Sequence, residues 1–222
     1  MKRFNLFIAF AAFAFASCTS TDSKTEAVNT ESTTEEVATA SSALIPDGNY
    51  IVTNIATVVT WVAKKAVGDG HTGIIPVSNG KFKVKNGQIS DGSIIFDMTG
   101  FTVTDLEGES KANFDEHLKS VDFLETEKFP TAVLTLKNTI EDGGDLHVNA
   151  SLSMHGVSQP YNIPIVIKPF KKDGQDMFSV YGEIFIDRTK HKIVYGSGSF
   201  FDNLGDKAIN DDILIKFELT AL

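Results

Sequence analysis

The stretch DEHLKSVDFLETEKFPTAVLTL, residues 115–136, changes its periodicity halfway along. Phe114 and Leu118 stand four apart and share a face on a helix, which leaves Asp115, Glu116 and Lys119 expected on the water side. Phe123, Leu124 and Phe129 follow, Pro130 ends any helix, and from Thr131 the residues alternate as a strand does. A helical turn with several large apolar groups needs an apolar surface to cover. The stretch therefore predicts a short helical cap over one end of a β-structure.

The chain on both sides of it reads as β. Short runs rich in Val, Ile, Thr and Phe are separated by Gly, Asp and Asn, and the expected strands are 58–63, 74–84, 88–103, 131–140, 145–154, 159–170, 177–187 and 211–219. KNGQ, EDGGD and KKDGQD carry the glycines that tight antiparallel hairpins use. Within the run 145–154, Leu146, Val148, Ala150, Leu152 and Met154 fall on one face and His147, Asn149, Ser151 and Ser153 on the other; Ile94, Phe96 and Met98 alternate with Asp97 and Thr99 in the same way. The class is all-β. About eight such strands can close into an antiparallel barrel, which removes exposed edges, or stack as a sandwich, and alternation serves a hollow interior as well as a filled one.

Residues 1–17 have a basic start at Lys2 and Arg3 and an apolar run too short for a membrane span, the form of a secretory signal. The ending FASC resembles a lipobox, which makes Cys18 the expected lipidation site of a bacterial lipoprotein. Cys18 is the sole cysteine, so an internal disulfide and a thiolate metal cluster are excluded. Residues 18–45, rich in Thr, Ser, Glu and Ala without an aromatic, are expected to be a flexible tether, and residues 46–222 one folded domain. The expected location is the cell envelope, anchored by lipid at the outer membrane or a periplasmic face; Thr19 stands where inner-membrane retention is associated with Asp.

The net charge of −9 offers no basic footprint for nucleic acid. His71, His117, His147, His155 and His191 lack the close spacing of a helix-borne metal site, and His71 and His117 read as loop-holding hydrogen-bond partners. No catalytic constellation stands out: GSGS at 196–199 lacks the strand-turn-helix context of a nucleophile elbow, and Asp211 and Asp212, adjacent on a strand, point to opposite faces. Arg188 is expected to tie the barrel end by an ion pair, or else to meet a ligand head group.

The segment HLKSVDFLETEKFPTAVLTL resembles the signature of the YceI-like family. Further matches flank it in order, VVTWVAKKAVGDGHTGIIPVSNGKF, SLSMHGVSQPYNIPI, IFIDRTKHKI and INDDILIKFELTA, and the likeness covers essentially all of residues 48–222. The resemblance implies a lipocalin-like barrel, exported by bacteria, whose apolar tunnel holds a polyisoprenoid, an isoprenoid quinone-like lipid or a similar amphiphile, with no cofactor and no established catalysis. Pairing of two copies through their barrels is compatible with it. Inward alternation makes Phe96, Met98, Phe101, Leu134, Leu152, Met154, Ile184 and Ile186 the expected lining, and the cap adds Phe114, Leu118, Phe123, Leu124 and Phe129. The same residues would equally fill an ordinary core, giving a structural or interaction lipoprotein with a solid barrel. A third expectation is an enzyme acting on a bound lipid with His117 or His155 as base. Two departures from the family pattern fall at loops: Val157-Ser158-Gln159 in the turn MHGVSQP, and an insert carrying Phe200 and Phe201.

Overall fold

The computed structural model describes residues 45–222. The expected leader, Cys18 and nearly all of the expected tether lie outside the described residues. The described chain forms strands β1 (Gly48–Ala63), β2 (His71–Ile74), β3 (Val77–Lys85), β4 (Gln88–Asp97) and β5 (Thr102–Val103), then helix α1 (Gly108–Lys119). Strands β6 (Thr131–Asp142), β7 (Asp145–Met154), β8 (Val157–Lys172), β9 (Gln175–Asp187) and β10 (Asp212–Ala221) complete it.

Antiparallel pairing places β10, β9, β8, β7, β6, β4, β3 and β1 side by side, and β1 pairs back onto β10, so these eight strands close a barrel. The hairpin turns are tight because two-residue loops reach the left-handed region: Asn86 and Gly87 at φ 55° and 73°, Asp173 and Gly174 at 52° and 80°. β1 holds the closure. Its start pairs with β3, from Gly48 with Val84 to Ile51 with Lys81, and its end pairs with β2, from Thr60 with Ile74 to Ala63 with His71. Between the two halves the register against β10 shifts from Thr53 to Val58, with Ala56 at φ 55°, and this bulge bends the strand from one neighbour to the other.

The bulge also explains why the sequence shows β1 only from Val58: alternation breaks across it. Two other expected runs are interrupted. The run 74–84 breaks at Ile75 and Pro76, which separate β2 from β3. The run 88–103 breaks after Asp97, whose carboxylate accepts the Thr99 N–H at 2.9 Å and the Gly100 N–H at 3.3 Å, forming a local turn that sends Met98 and Phe101 inward. β8 starts at Val157 and not at Gln159, because the β7–β8 turn needs only His155 and Gly156, at φ 50° and 73°.

The interior has two continuous apolar zones. One is centred on Val52, Phe82, Val84, Ile94, Leu136, Val148, Ile163, Ile165, Val180 and Leu219. The other gathers Trp61, Met98, Phe101, Val103, Leu118, Leu124, Leu152 and Ile193 beneath α1. Trp61 stacks on Phe101 with centroids 4.9 Å apart, and its indole lies so close to Gly73 that a Cβ there would come within 2.5 Å of the ring. No helix among the described residues is long and apolar enough to cross a membrane.

Candidate functional site: an apolar cavity under a helical cap

A cavity of about 400 Å³ runs through both zones of the barrel interior. Its depth is walled by Val52, Phe82, Ile89, Val180, Leu219 and Ala221, and its rim includes Lys64, Lys65, His71, His117, Tyr195 and Ile209. The volume lies in the range of small-molecule sites, roughly 300–1,000 Å³. Phe96, Leu134, Ile184 and Ile186 line it and are only partly buried although they point inward, since the space beside them is open. The wall contains no Asp or Glu.

The alternation of β4, β6, β7 and β9 brings Phe96, Leu134, Leu152, Met154, Ile184 and Ile186 together on this wall, and the turn after β4 adds Met98 and Phe101. From the cap come Phe114, Leu118, Phe123 and Leu124. Phe129 corrects the expectation: it lies outside the wall, with its ring 4.6 Å from that of His155 and against Gly156, where a Cβ would approach to 3.0 Å. The reason is local. Glu125 takes a positive φ of 46° and accepts the Phe129 N–H at 2.9 Å, turning the ring onto the β7–β8 hairpin and away from the mouth.

Alternation also extends to positions the sequence reading passed over. Tyr161, Ile163 and Ile165 on β8 and Ile213, Ile215 and Phe217 on β10 line the cavity. The i, i+2 pattern was present in both strands; in β8 Pro160 and Pro164 stand on the opposite, exposed face.

The cap is fastened by polar contacts. Asp115 is not turned to water: its carboxylate accepts the Val103 N–H at 2.7 Å and the Thr102 hydroxyl at 2.5 Å, and Lys111 donates to it at 2.9 Å while also donating to the Thr102 hydroxyl. Burial alone would raise the Asp115 pKa, but these donors together hold it below the ordinary 3.8. Further along, His117 stands edge-on to Phe123 and to Tyr195, with Phe123 and Tyr195 4.8 Å apart. At the other side of the mouth the His71 ring packs 4.3 Å from Phe114 and bonds Asp105 at 3.0 Å. Both histidines therefore carry structural contacts.

Arg188 also reaches the cavity wall, yet its guanidinium is fully committed. It is 4 % exposed and donates to the carbonyls of Asn210, Ile193, Tyr195 and Ile209 and to Asp211 at 3.3 Å. All five N–H donors of an arginine are used by such a set. Its ionic partner is Asp211 and not the adjacent Asp187. No group of three or more His, Cys, Asp or Glu among the described residues is placed to hold a metal ion.

The YceI-like domain model matches residues 50–221, nearly the whole described barrel. The chain belongs to the YceI-like family. A UPF0312 protein of Shewanella denitrificans is 32 % identical over 114 residues, which cover 50 % of this chain and 56 % of that protein. Protein YceI of Escherichia coli is 40 % identical over 52 residues, 23 % of this chain and 27 % of its own. The aligned region thus spans about half or less of these relatives' length. Among solved structures, BcnA of Burkholderia cenocepacia superimposes with a TM-score of 0.59 at 16 % identity, covering 77 % of this chain and 99 % of that one. A polyisoprenoid binding domain from Saccharophagus degradans, implicated in plant cell wall breakdown, gives 0.59 at 15 % identity over 78 % and 97 %. At these identities the superpositions establish a shared fold.

Proposed function

We propose that this YceI-like protein is an exported binding protein that sequesters or carries a polyisoprenoid or a similar amphiphile in its barrel. The observation that carries the reading is the cavity of about 400 Å³ continuing through both apolar zones with no carboxylate in its wall. A chain of isoprene units offers nothing to hydrogen-bond along its length, so its binding must come from apolar area removed from water, roughly 25 cal/mol per Å² before the cost of ordering it. A wall of Phe, Met, Ile and Leu supplies that area. The polyisoprenoid-binding domain that shares the fold supports the ligand class.

The mechanism is reversible burial. The tail enters beneath the cap, displacing water from the hollow, and the ligand's polar end stays in the upper part of the cavity, towards the capped mouth. The role proposed for it is binding without turnover. A lipid on Cys18 would keep the barrel at a bacterial envelope membrane, where such ligands are made and used.

A second reading, a module that binds a protein partner on its outer surface, is favoured by the exposed aromatics Phe185, Phe200 and Phe201, at 63, 58 and 48 %. The hollow interior favours the carrier over it. Native mass spectrometry of the purified chain, followed by organic extraction and lipid identification, decides between them. An adduct released as a polyprenyl compound is the expected result. A bare mass that stays unchanged after incubation with polyprenols, polyprenyl phosphates and isoprenoid quinones would overturn the carrier reading.

A further inference from the structure

Resting on that reading, one polar contact in the upper wall narrows the chemistry of the ligand. His191 is completely buried, in the short 3-10 turn Arg188–His191 that follows β9. Its Nδ1 lies 3.1 Å from the carbonyl oxygen of Val157, and its Nε2 lies 3.0 Å from the Tyr161 hydroxyl. A carbonyl can only accept, so Nδ1 must carry the proton that it donates to Val157. Burial holds the His191 pKa below the ordinary 6.5, which keeps the ring neutral at pH 7 and leaves Nε2 as a bare lone pair. Nε2 must then accept, and the Tyr161 hydroxyl must donate to it.

The consequence falls on Tyr161. Its single proton is committed to the His191 Nε2, which can only accept, and burial pushes its pKa up to about 12, so the phenol stays un-ionised. What the phenol oxygen retains is acceptor capacity. Tyr161 lines the cavity, and because His191 has no exposed surface, the partly open side of the pair belongs to the phenol. His155 stiffens the arrangement from behind: its Nδ1 lies 3.0 Å from the carbonyl oxygen of His191, while its ring packs against Phe129.

We infer that Tyr161 is a specificity-determining acceptor in the cavity, selecting long-chain ligands that bring a hydrogen-bond donor, such as an alcohol or an N–H amide, over those that bring only acceptors, such as a quinone, an ester or an ether. A donor on the ligand gains a partner there. An acceptor placed at the same point faces a second lone pair and loses its hydration without replacement.

The test compares geranylgeraniol with its methyl ether, which keeps the same tail and removes the donor, on the full chain and on Tyr161→Phe. The chain is expected to bind the alcohol about three- to tenfold more tightly, the worth of one net hydrogen bond. Tyr161→Phe should lose this preference and bind the two ligands alike. That loss of discrimination is a readout that a purely structural tyrosine would not move. Equal binding of the two ligands by the unaltered chain would overturn the inference while leaving the carrier reading standing. Binding of neither would overturn both, and the unaltered chain alone suffices to separate these outcomes.

Discussion

The carboxylate of Asp115, in the middle of α1, accepts the backbone N–H of Val103 at 2.7 Å, joining the cap to the two-residue strand β5. β5 pairs with β2, through Gly73 with Val103 and Ile74 with Thr102, and β2 pairs with the end of β1. One side chain thus transmits the barrel's register to the cap that covers its mouth. Asp115→Asn keeps the shape and removes the charge, and is expected to cost about 1 to 3 kcal/mol of stability. Hydrogen exchange should show the loss concentrated in α1 and β5. Uniform loosening of the whole barrel would contradict the local role.

The same contact sets a pH dependence. The folded-state pKa of Asp115 lies below its unfolded value near 3.8, so its contribution is fully present above that value and is lost as pH falls through the folded one. Thermal unfolding from pH 5 down to pH 2 should therefore show a falling melting temperature, with a smaller fall in Asp115→Asn. Parallel curves for the two proteins would place the acid sensitivity elsewhere.

Phe96 and Phe129 make a contrasting pair. Phe96 lines the cavity, whereas Phe129 packs outside it on His155. Phe96→Asp puts a charge where an apolar tail would lie, and should weaken tail binding at least about tenfold. Phe129→Ala should lower stability by about 2 kcal/mol while leaving tail affinity within about twofold at temperatures where the fold is intact. Titration of a polyprenol into each variant, beside its melting curve, checks both. Unchanged affinity in Phe96→Asp would remove this wall from the binding site.

The cap and the strands were legible in the sequence because each shows in local spacing, whereas closure into a barrel was implied only by the family resemblance. Phe114 and Leu118 four apart announce the helix face, and Leu146 to Met154 in alternate positions announce an inward wall. The bulge in β1 was not legible, since it exists only through pairing with β3, β2 and β10 at once. Asp115 was expected on the water side because helix spacing says nothing about a strand that arrives from elsewhere to offer its N–H. His191 is harder still: RTKHK reads as a polar turn, and its burial arises from Tyr161 and Val157, thirty or more residues away. The alternation that places residues on a wall also says nothing about the open space beside them, so the hollow itself became visible only when all eight strands were closed.

Arg188 tests how firmly the barrel end is tied. Its guanidinium bridges the carbonyls of Ile193, Tyr195, Ile209 and Asn210 to Asp211, gathering the loop after β9 and the approach to β10 into one knot. Burial lowers the pKa of this arginine, while Asp211 and Asp187 oppose the change and favour its charge. Arg188→Met retains much of the stem's packing but strips the buried carbonyls and Asp211 of their donors. The expected cost is about 3 to 5 kcal/mol, as for breaking a buried ion pair by removing one partner. Arg188→Lys should recover only part of it, since an ammonium cannot reproduce the planar fork across these acceptors. Chemical denaturation of both variants checks the order. Equal stability for the lysine variant and the unaltered protein would show that charge alone, without the fork, holds this end of the barrel.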